Sequence, residues 1–124
     1  MAASKVIPLP KLLKKAQIVF NRFIRLRDQS KGCISCGAEV TEAGHYYSQG
    51  HHSALRFSEI NTNGQCPRCN RWLHGNLINY RNGLLSRYGK QNLDLLDSVG
   101  TRPKAKKWER HELEFIINHY QCQE

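Results

Sequence analysis

Two pairs of cysteines, Cys33/Cys36 and Cys66/Cys69, are the residues of this chain most plainly spaced for chemistry. Two residues between cysteines let one tight turn aim both sulfurs at a single ion, and four thiolates in two such pairs suit tetrahedral zinc. A single C-x2-C is equally a redox motif, whereas two of them read as a metal site. The 29 residues between Cys36 and Cys66 exceed what a minimal zinc ribbon needs. The zinc is therefore expected to be a staple, closing a loop long enough for a β-hairpin with chemistry of its own. That loop holds Glu42, His45, His51, His52, Glu59 and Asn61, and Asn70 and His74 follow the second pair. A neutral imidazole, with an ordinary pKa of about 6.5, can take a proton from water at neutral pH. Amide and carboxylate oxygens are hard donors suited to Mg²⁺ or Mn²⁺.

The elements that would position these groups follow from proline, glycine and apolar spacing. Residues 1–10, with Pro8 and Pro10, are expected to form an extended tail, and 11–124 one domain whose core spans about 33–76. Leu12, Leu13, Ala16, Phe20, Phe23 and Ile24 recur at helical spacing over 11–28, opposite a face bearing Lys11, Lys14, Lys15, Arg22 and Arg25. Two short strands are expected near 44–48 and 55–57, with a loop through Gly50 and His52 between them. Pro67 favours a helix starting at the second cysteine pair and running through His74, which would put Asn70 and His74 on one face. Apolar spacing over 76–88 predicts a further helix stopped at Gly89, then a short one over 93–99 capped by Asn92. A basic linker at 100–107 precedes a last helix over 109–121, anchored by Trp108 with Leu113, Ile116, Ile117 and Tyr120 facing the core. Tyr46, Tyr47, Phe57 and Trp72 are expected in the core, His111 and His119 on the surface.

The net charge is +9, from 19 Lys and Arg against 10 Asp and Glu, and it favours a polyanionic partner, nucleic acid first. No apolar run approaches the roughly 18 residues of a membrane-spanning helix, so no membrane partner is expected. The apolar part of the first residues is too short for a secretory signal, which implies a reducing cytoplasm and favours metal over disulfides. Cys122 is left over, with no assigned role.

A His expected on a strand, an Asn some fifteen residues on and an Asn directly after the second knuckle resemble the His-Asn-His, or ββα-metal, endonucleases. The chain is more closely similar to the NinG (Rap) recombination endonucleases of lambdoid phages. The likeness is carried by FNRFIRLRD at 20–28, CISCG at 33–37, AGHY at 43–46, LRFSEIN at 55–61, QCPRCN at 65–70 and GNLINYRNGLLSRYG at 75–89, from about Lys14 to Tyr120. It implies an α+β, zinc-stapled ββα-metal core with flanking helices and a metal-dependent DNA endonuclease. By the same resemblance His45 is the general base, Asn61 orients it, and Asn70 holds a catalytic Mg²⁺ or Mn²⁺. The implied substrates are branched recombination intermediates such as Holliday junctions and D-loops, cut to 5′-phosphate and 3′-hydroxyl ends in the bacterial cytoplasm. A homodimer would match a symmetric junction, and other recombination proteins are candidate partners.

The chain departs from the wider nuclease group at Gly44, where an acidic metal ligand often precedes the base. The closer family shares the Ala-Gly-His form. His74, Glu42, Glu59, His51 and His52 are candidates to complete that site, with His74 preferred for its spacing from Asn70. Another assignment makes His45 a ligand and His51 or His52 the base. Arg56, Arg71, Arg81, Lys106 and Lys107 are candidate DNA contacts, although a structural salt bridge serves Arg56 or Arg81 equally well. Plainer roles stand beside the others: a core histidine at 45, a turn residue at Asn61 and a first-turn residue at Asn70. The rival functions are a zinc-bearing DNA-binding module without catalysis and an RNA-binding or RNA-cleaving zinc protein.

Overall fold

Helix α1 runs Leu9–Asp28 and starts two residues earlier than expected from its prolines. Pro8 is the residue before the first turn, and its carbonyl accepts the Leu12 N–H at 3.0 Å. Pro10 lies within that turn, where a missing N–H removes no helical bond. The expected tail is thus shorter than ten residues. The computed structural model describes residues 6–102 and 105–122; the beginning of the tail, and Pro103 and Lys104 of the linker, lie outside them. One face of α1 buries Leu12, Ala16, Phe20 and Ile24. They pack against Leu113, Ile117 and Tyr120 of α3 (Arg110–Gln121) and against Phe57.

The sheet has two strands, β1 (Glu42–His45) and β2 (Thr62–Gln65), antiparallel, with Glu42 opposite Gln65 and His45 opposite Thr62. The second strand lies well past the 55–57 expected for it. There the chain instead makes a single 3₁₀ turn, Ser53–Leu55, and Leu55 and Phe57 plug two different hydrophobic clusters. The second cluster gathers Ile34, Leu55, Tyr80, Leu84, Leu93 and Leu96, with Tyr46 and Tyr47 packed on it. The fold is mixed α and β.

Strand β2 is Thr-Asn-Gly-Gln and wholly buried, so its polar groups need partners inside the protein. The end of α1 supplies several. Gly64 N–H donates to the Asp28 carboxylate at 2.7 Å, and Arg27 reaches the Thr62 carbonyl at 3.0 Å and Asn63 Oδ1 at 3.1 Å. Gly64 O accepts the Ile34 N–H at 3.0 Å, and Tyr88 donates to Asn63 Oδ1 at 2.7 Å. A side chain at Gly64 would collide with Val40 at 2.6 Å, so glycine is needed for this approach.

After the second cysteine pair, Arg68–Trp72 forms one wide π-type turn, closed by Leu73 N–H on Arg68 O at 2.9 Å. His74 and Asn76 then take left-handed backbone angles, φ 50° and 47°, and end it. Trp72 is 78 % exposed, contrary to its expected place in the core. Helix α2 (Leu77–Gly100) is broken at Gly89, whose φ of 83° and ψ of 165° separate two helical segments where a stop was expected. Asn92 does not cap the second segment; its amide donates back to the Tyr88 carbonyl at 2.8 Å. Helix α3 opens with Glu112 accepting the Glu109 N–H at 2.9 Å, and Trp108 anchors its start through the Ser53 carbonyl at 2.9 Å. Among the described residues, no helix is long and apolar enough to cross a membrane.

Burial pushes the Asp28 carboxyl up in pKa, but Arg27 and the Gly64 N–H outweigh it and hold it below its ordinary value. A depressed folded pKa contributes stability that is complete above the unfolded value of about 4 and is lost as the pH falls through the folded one. Asp28→Ala is expected to cost about 3 kcal/mol near pH 7. The deficit should shrink below about pH 4, where the wild type loses the same contribution. Urea titrations at both pH values check this.

Candidate metal centre and histidine site

The sulfurs of Cys33, Cys36, Cys66 and Cys69 all lie within 4.8 Å of one another. A tetrahedral zinc with Zn–S bonds of about 2.3 Å needs sulfurs roughly 3.8 Å apart, so the four cysteines can hold one zinc ion. Two N–H groups already point at the sulfurs: Cys69 N–H at Cys66 Sγ, 3.4 Å, and the Asn76 amide at Cys69 Sγ, 3.5 Å. Such donors favour thiolates and fix the knuckles around a metal. Cys122 is exposed and takes no part.

His45 ends β1, and its Nε2 lies 3.0 Å from the Arg56 carbonyl oxygen. A carbonyl only accepts, so Nε2 carries the proton and Nδ1 is left with the lone pair. Burial lowers the pKa of this imidazole and the nearby Arg56 guanidinium lowers it further, outweighing the Arg56 carbonyl, which raises it. A lowered pKa favours the neutral form of His45 at pH 7. The Arg56 side chain, expected at DNA, turns to α1 and donates to Gln17 Oε1 at 2.8 Å. Its functional group here is its backbone carbonyl, which the sequence gives no means of singling out.

Asn61 is fully buried and uses both ends of its amide on the backbone of one residue: Oδ1 accepts the Tyr47 N–H at 2.8 Å and Nδ2 donates to the Tyr47 carbonyl at 3.0 Å. This clamps the chain two residues beyond His45. Tyr46 N–H on Asn61 O at 2.9 Å and Tyr80 hydroxyl on Gly44 O at 2.7 Å fix the backbone on either side.

Asn70 lies on the wide turn and donates to Glu42 Oε1 at 2.8 Å, while Arg71 Nε holds Glu42 Oε2 at 2.8 Å. The amide oxygen of Asn70 faces Gly44. The preference for His74 as its companion fails, because the turn ends at Trp72 and His74 leaves it with a left-handed backbone, so no common helix face exists. Of the other candidates, Glu59 accepts from Tyr120 at 2.9 Å, His52 rests on the Ser48 carbonyl at 3.2 Å, and His51 is exposed in the loop. Glu42 is the one bonded to Asn70. Among the described residues, no second group of three His, Cys, Asp or Glu side chains converges on a point.

The candidate DNA contacts divide. Arg81 is bound by both oxygens of Asp97, at 3.1 and 2.7 Å, and Asp97 also accepts from Tyr47. Lys106 pairs with Glu112 at 2.9 Å and lies over the Trp108 ring. Lys107 is exposed, and Arg71 is exposed beyond its bond to Glu42.

A mixed α/β chain with four cysteines placed to hold one metal ion is the class these features define. Its family follows from comparison: the model described as "Bacteriophage Lambda NinG protein" matches residues 2–124, and the chain belongs to the NinG family. It is 39 % identical to "Protein ninG" of Escherichia phage lambda over 112 residues, 88 % of this chain and 53 % of that protein. It is 38 % identical to "Protein ninG" of Salmonella phage P22, again over 88 % of this chain and 54 % of that protein. The chain spans about half the length of the curated relatives it matches. No solved structure matches it.

Structural zinc sites contribute on the order of 10 kcal/mol to folding. Purified protein is expected to carry one zinc per chain, and chelation should abolish its cooperative thermal transition until Zn²⁺ is restored. Elemental analysis with circular dichroism measures both.

Proposed function

We propose that this chain is a metal-dependent DNA endonuclease of the His-Asn-His kind, with the zinc as a structural staple. The observation that carries the reading is the tautomer of His45: Nε2–H is committed to the Arg56 carbonyl, which leaves Nδ1 as a proton acceptor with a lowered pKa. Support also comes from the order of the elements, two antiparallel strands followed by a short helical turn bearing Asn70, which fits a ββα-metal core.

In this reading His45 Nδ1 takes the proton of the attacking water, and Asn61 keeps the base aimed through the Tyr47 peptide. The donor set beside Gly44 suits a hard cation, since Asn70 Oδ1 faces Gly44 and the Glu42 carboxylate, bonded to the Asn70 amide nitrogen, offers further oxygens next to it. Mg²⁺ or Mn²⁺ bound there would supply Lewis-acid stabilisation of the phosphate and the leaving 3′ oxygen. His45 follows Gly44 directly, so the strand that carries the base also carries this site. Arg71, exposed beside Glu42, and Lys107 are placed to meet phosphates. The net charge of +9 suits DNA, and the substrate proposed with it is a branched recombination intermediate in a phage-infected bacterial cytoplasm. A homodimer and further recombination partners belong to the same proposal.

The test is cleavage of a labelled four-way junction and its matched linear duplex with Mg²⁺, Mn²⁺ or EDTA. The junction should be cut only with a divalent ion, and His45→Ala should lose roughly 10²–10⁴-fold in rate with zinc and DNA binding intact. Because the His45 pKa is lowered, the rate should hold down to about pH 6.5 and fall only below it. Binding without cutting in any ion would refute the nuclease and leave a zinc-stapled binding module. Equal binding of matched RNA would argue for an RNA protein.

A further inference from the structure

Gly44 occupies the position at which the wider nuclease group often carries an acidic ligand, and the space in front of it is filled. An ideal Cβ on Gly44 would stand 1.8 Å from Gln65 Oε1 and 2.8 Å from Asn70 Oδ1. Two amide oxygens from different elements therefore converge where the missing side chain would begin. Gln65 is fully buried, and its Nε2 donates to Ser35 Oγ and to the Gly75 carbonyl, both at 2.9 Å. The Gly75 carbonyl only accepts, so turning the amide over would set oxygen against oxygen. The orientation of Oε1 is thereby fixed, and Oε1 is a buried acceptor without a hydrogen-bond partner among the described residues. Leaving such a group unsatisfied costs about 1–3 kcal/mol, a cost a bound cation would remove.

We propose that Gln65 Oε1 is an oxygen ligand of a divalent cation held with Asn70 Oδ1 and the Glu42 carboxylate, in place of the acid that Gly44 lacks. Gln65 lies opposite Glu42 in the β1–β2 ladder, so both side chains leave the same face of the sheet, the face from which Gly44 contributes only hydrogen. Asn70 reaches that face from the wide turn and is tied to Glu42. The set is all oxygen, which suits Mg²⁺ or Mn²⁺ and disfavours zinc, and the Glu42 carboxylate would have to turn from the exposed Arg71 that pairs with it at 2.8 Å to meet the ion. The role of the cation rests on the nuclease reading; its binding does not.

The experiment is a Mn²⁺ titration of the zinc-loaded chain without DNA, read by the electron paramagnetic resonance of free Mn²⁺. Gln65→Leu keeps the volume and removes the oxygen, and it should weaken Mn²⁺ binding at least about tenfold while zinc content stays at one per chain. Gly44→Ala, whose methyl displaces Oε1, should weaken it likewise. In the wild type, Mg²⁺ should shift the side-chain amide resonances of Gln65 and Asn70 together, a readout that does not depend on either variant folding. No Mn²⁺ binding by the wild type, binding by folded Gln65→Leu within about twofold of wild type, or Gln65 resonances that stay put while those of Asn70 move would each overturn the proposal. Mn²⁺ bound through Gln65 with no junction cutting would keep the ion site and refute the nuclease. Cutting with unaltered Mn²⁺ affinity in Gln65→Leu would keep the nuclease and refute the ligand.

Discussion

A strand of four polar residues is buried at the centre of this protein, and the need to meet most of its hydrogen-bonding groups within the protein organises much of the rest. A two-stranded sheet is marginal by itself in water. Strand β2 persists because α1 delivers Arg27 and Asp28 to its free edge, α2 delivers Tyr80, whose hydroxyl accepts the Asn63 amide, and Tyr88, and the first knuckle delivers the Ile34 N–H. Strand β1, which carries His45, is held against a neighbour fixed in this way. The cysteine knuckles close the same unit from the other end, since Cys66 directly follows β2 and Ile34 directly follows Cys33. Helix, sheet and cysteine cluster thus share one hydrogen-bonded frame.

This frame explains what could be read from the sequence and what could not. The cysteines were legible because ligand spacing is local, and so were α1, α3 and the break at Gly89, where apolar periodicity and glycine give local signals. The place of β2 was not. Asn61-Thr62-Asn63-Gly64 has turn chemistry and no apolar alternation, and its strand conformation depends on partners distant in sequence, Asp28 above all. The segment 55–57 has strand-like composition, but Leu55 and Phe57 are drawn into separate clusters, which an extended run would not permit. The helix face shared by Asn70 and His74 is absent because the turn that starts at the second knuckle is π-type and ends within five residues.

At the site the same division holds. His45, Asn61 and Asn70 could be picked out as residue types in a pattern, whereas their mechanical roles depend on contacts with no sequence signature. The Arg56 carbonyl and the Tyr47 peptide act through backbone atoms, and Gln65 was passed over because amides are ordinary in loops. The signal that finds Gln65 is structural: a buried oxygen without a partner against a glycine. Several cations that composition alone would assign to DNA are committed within the fold, Arg27 and Arg81 among them. The excess of positive charge remains, and with it the attraction to a polyanion.

The account turns on one proton. If His45 is the base of this NinG-family chain, its ring must be neutral at pH 7 with hydrogen on Nε2 and a lone pair on Nδ1. Nitrogen-15 spectroscopy of histidine-labelled, zinc-loaded protein reads both directly, because protonated and unprotonated ring nitrogens differ widely in shift. The prediction is a single Nε2–H tautomer for His45 from pH 8 to about pH 6.5, with protonation only at lower pH. A proton found on Nδ1, or a ring already charged at pH 7, would contradict the assignment of His45 as the base.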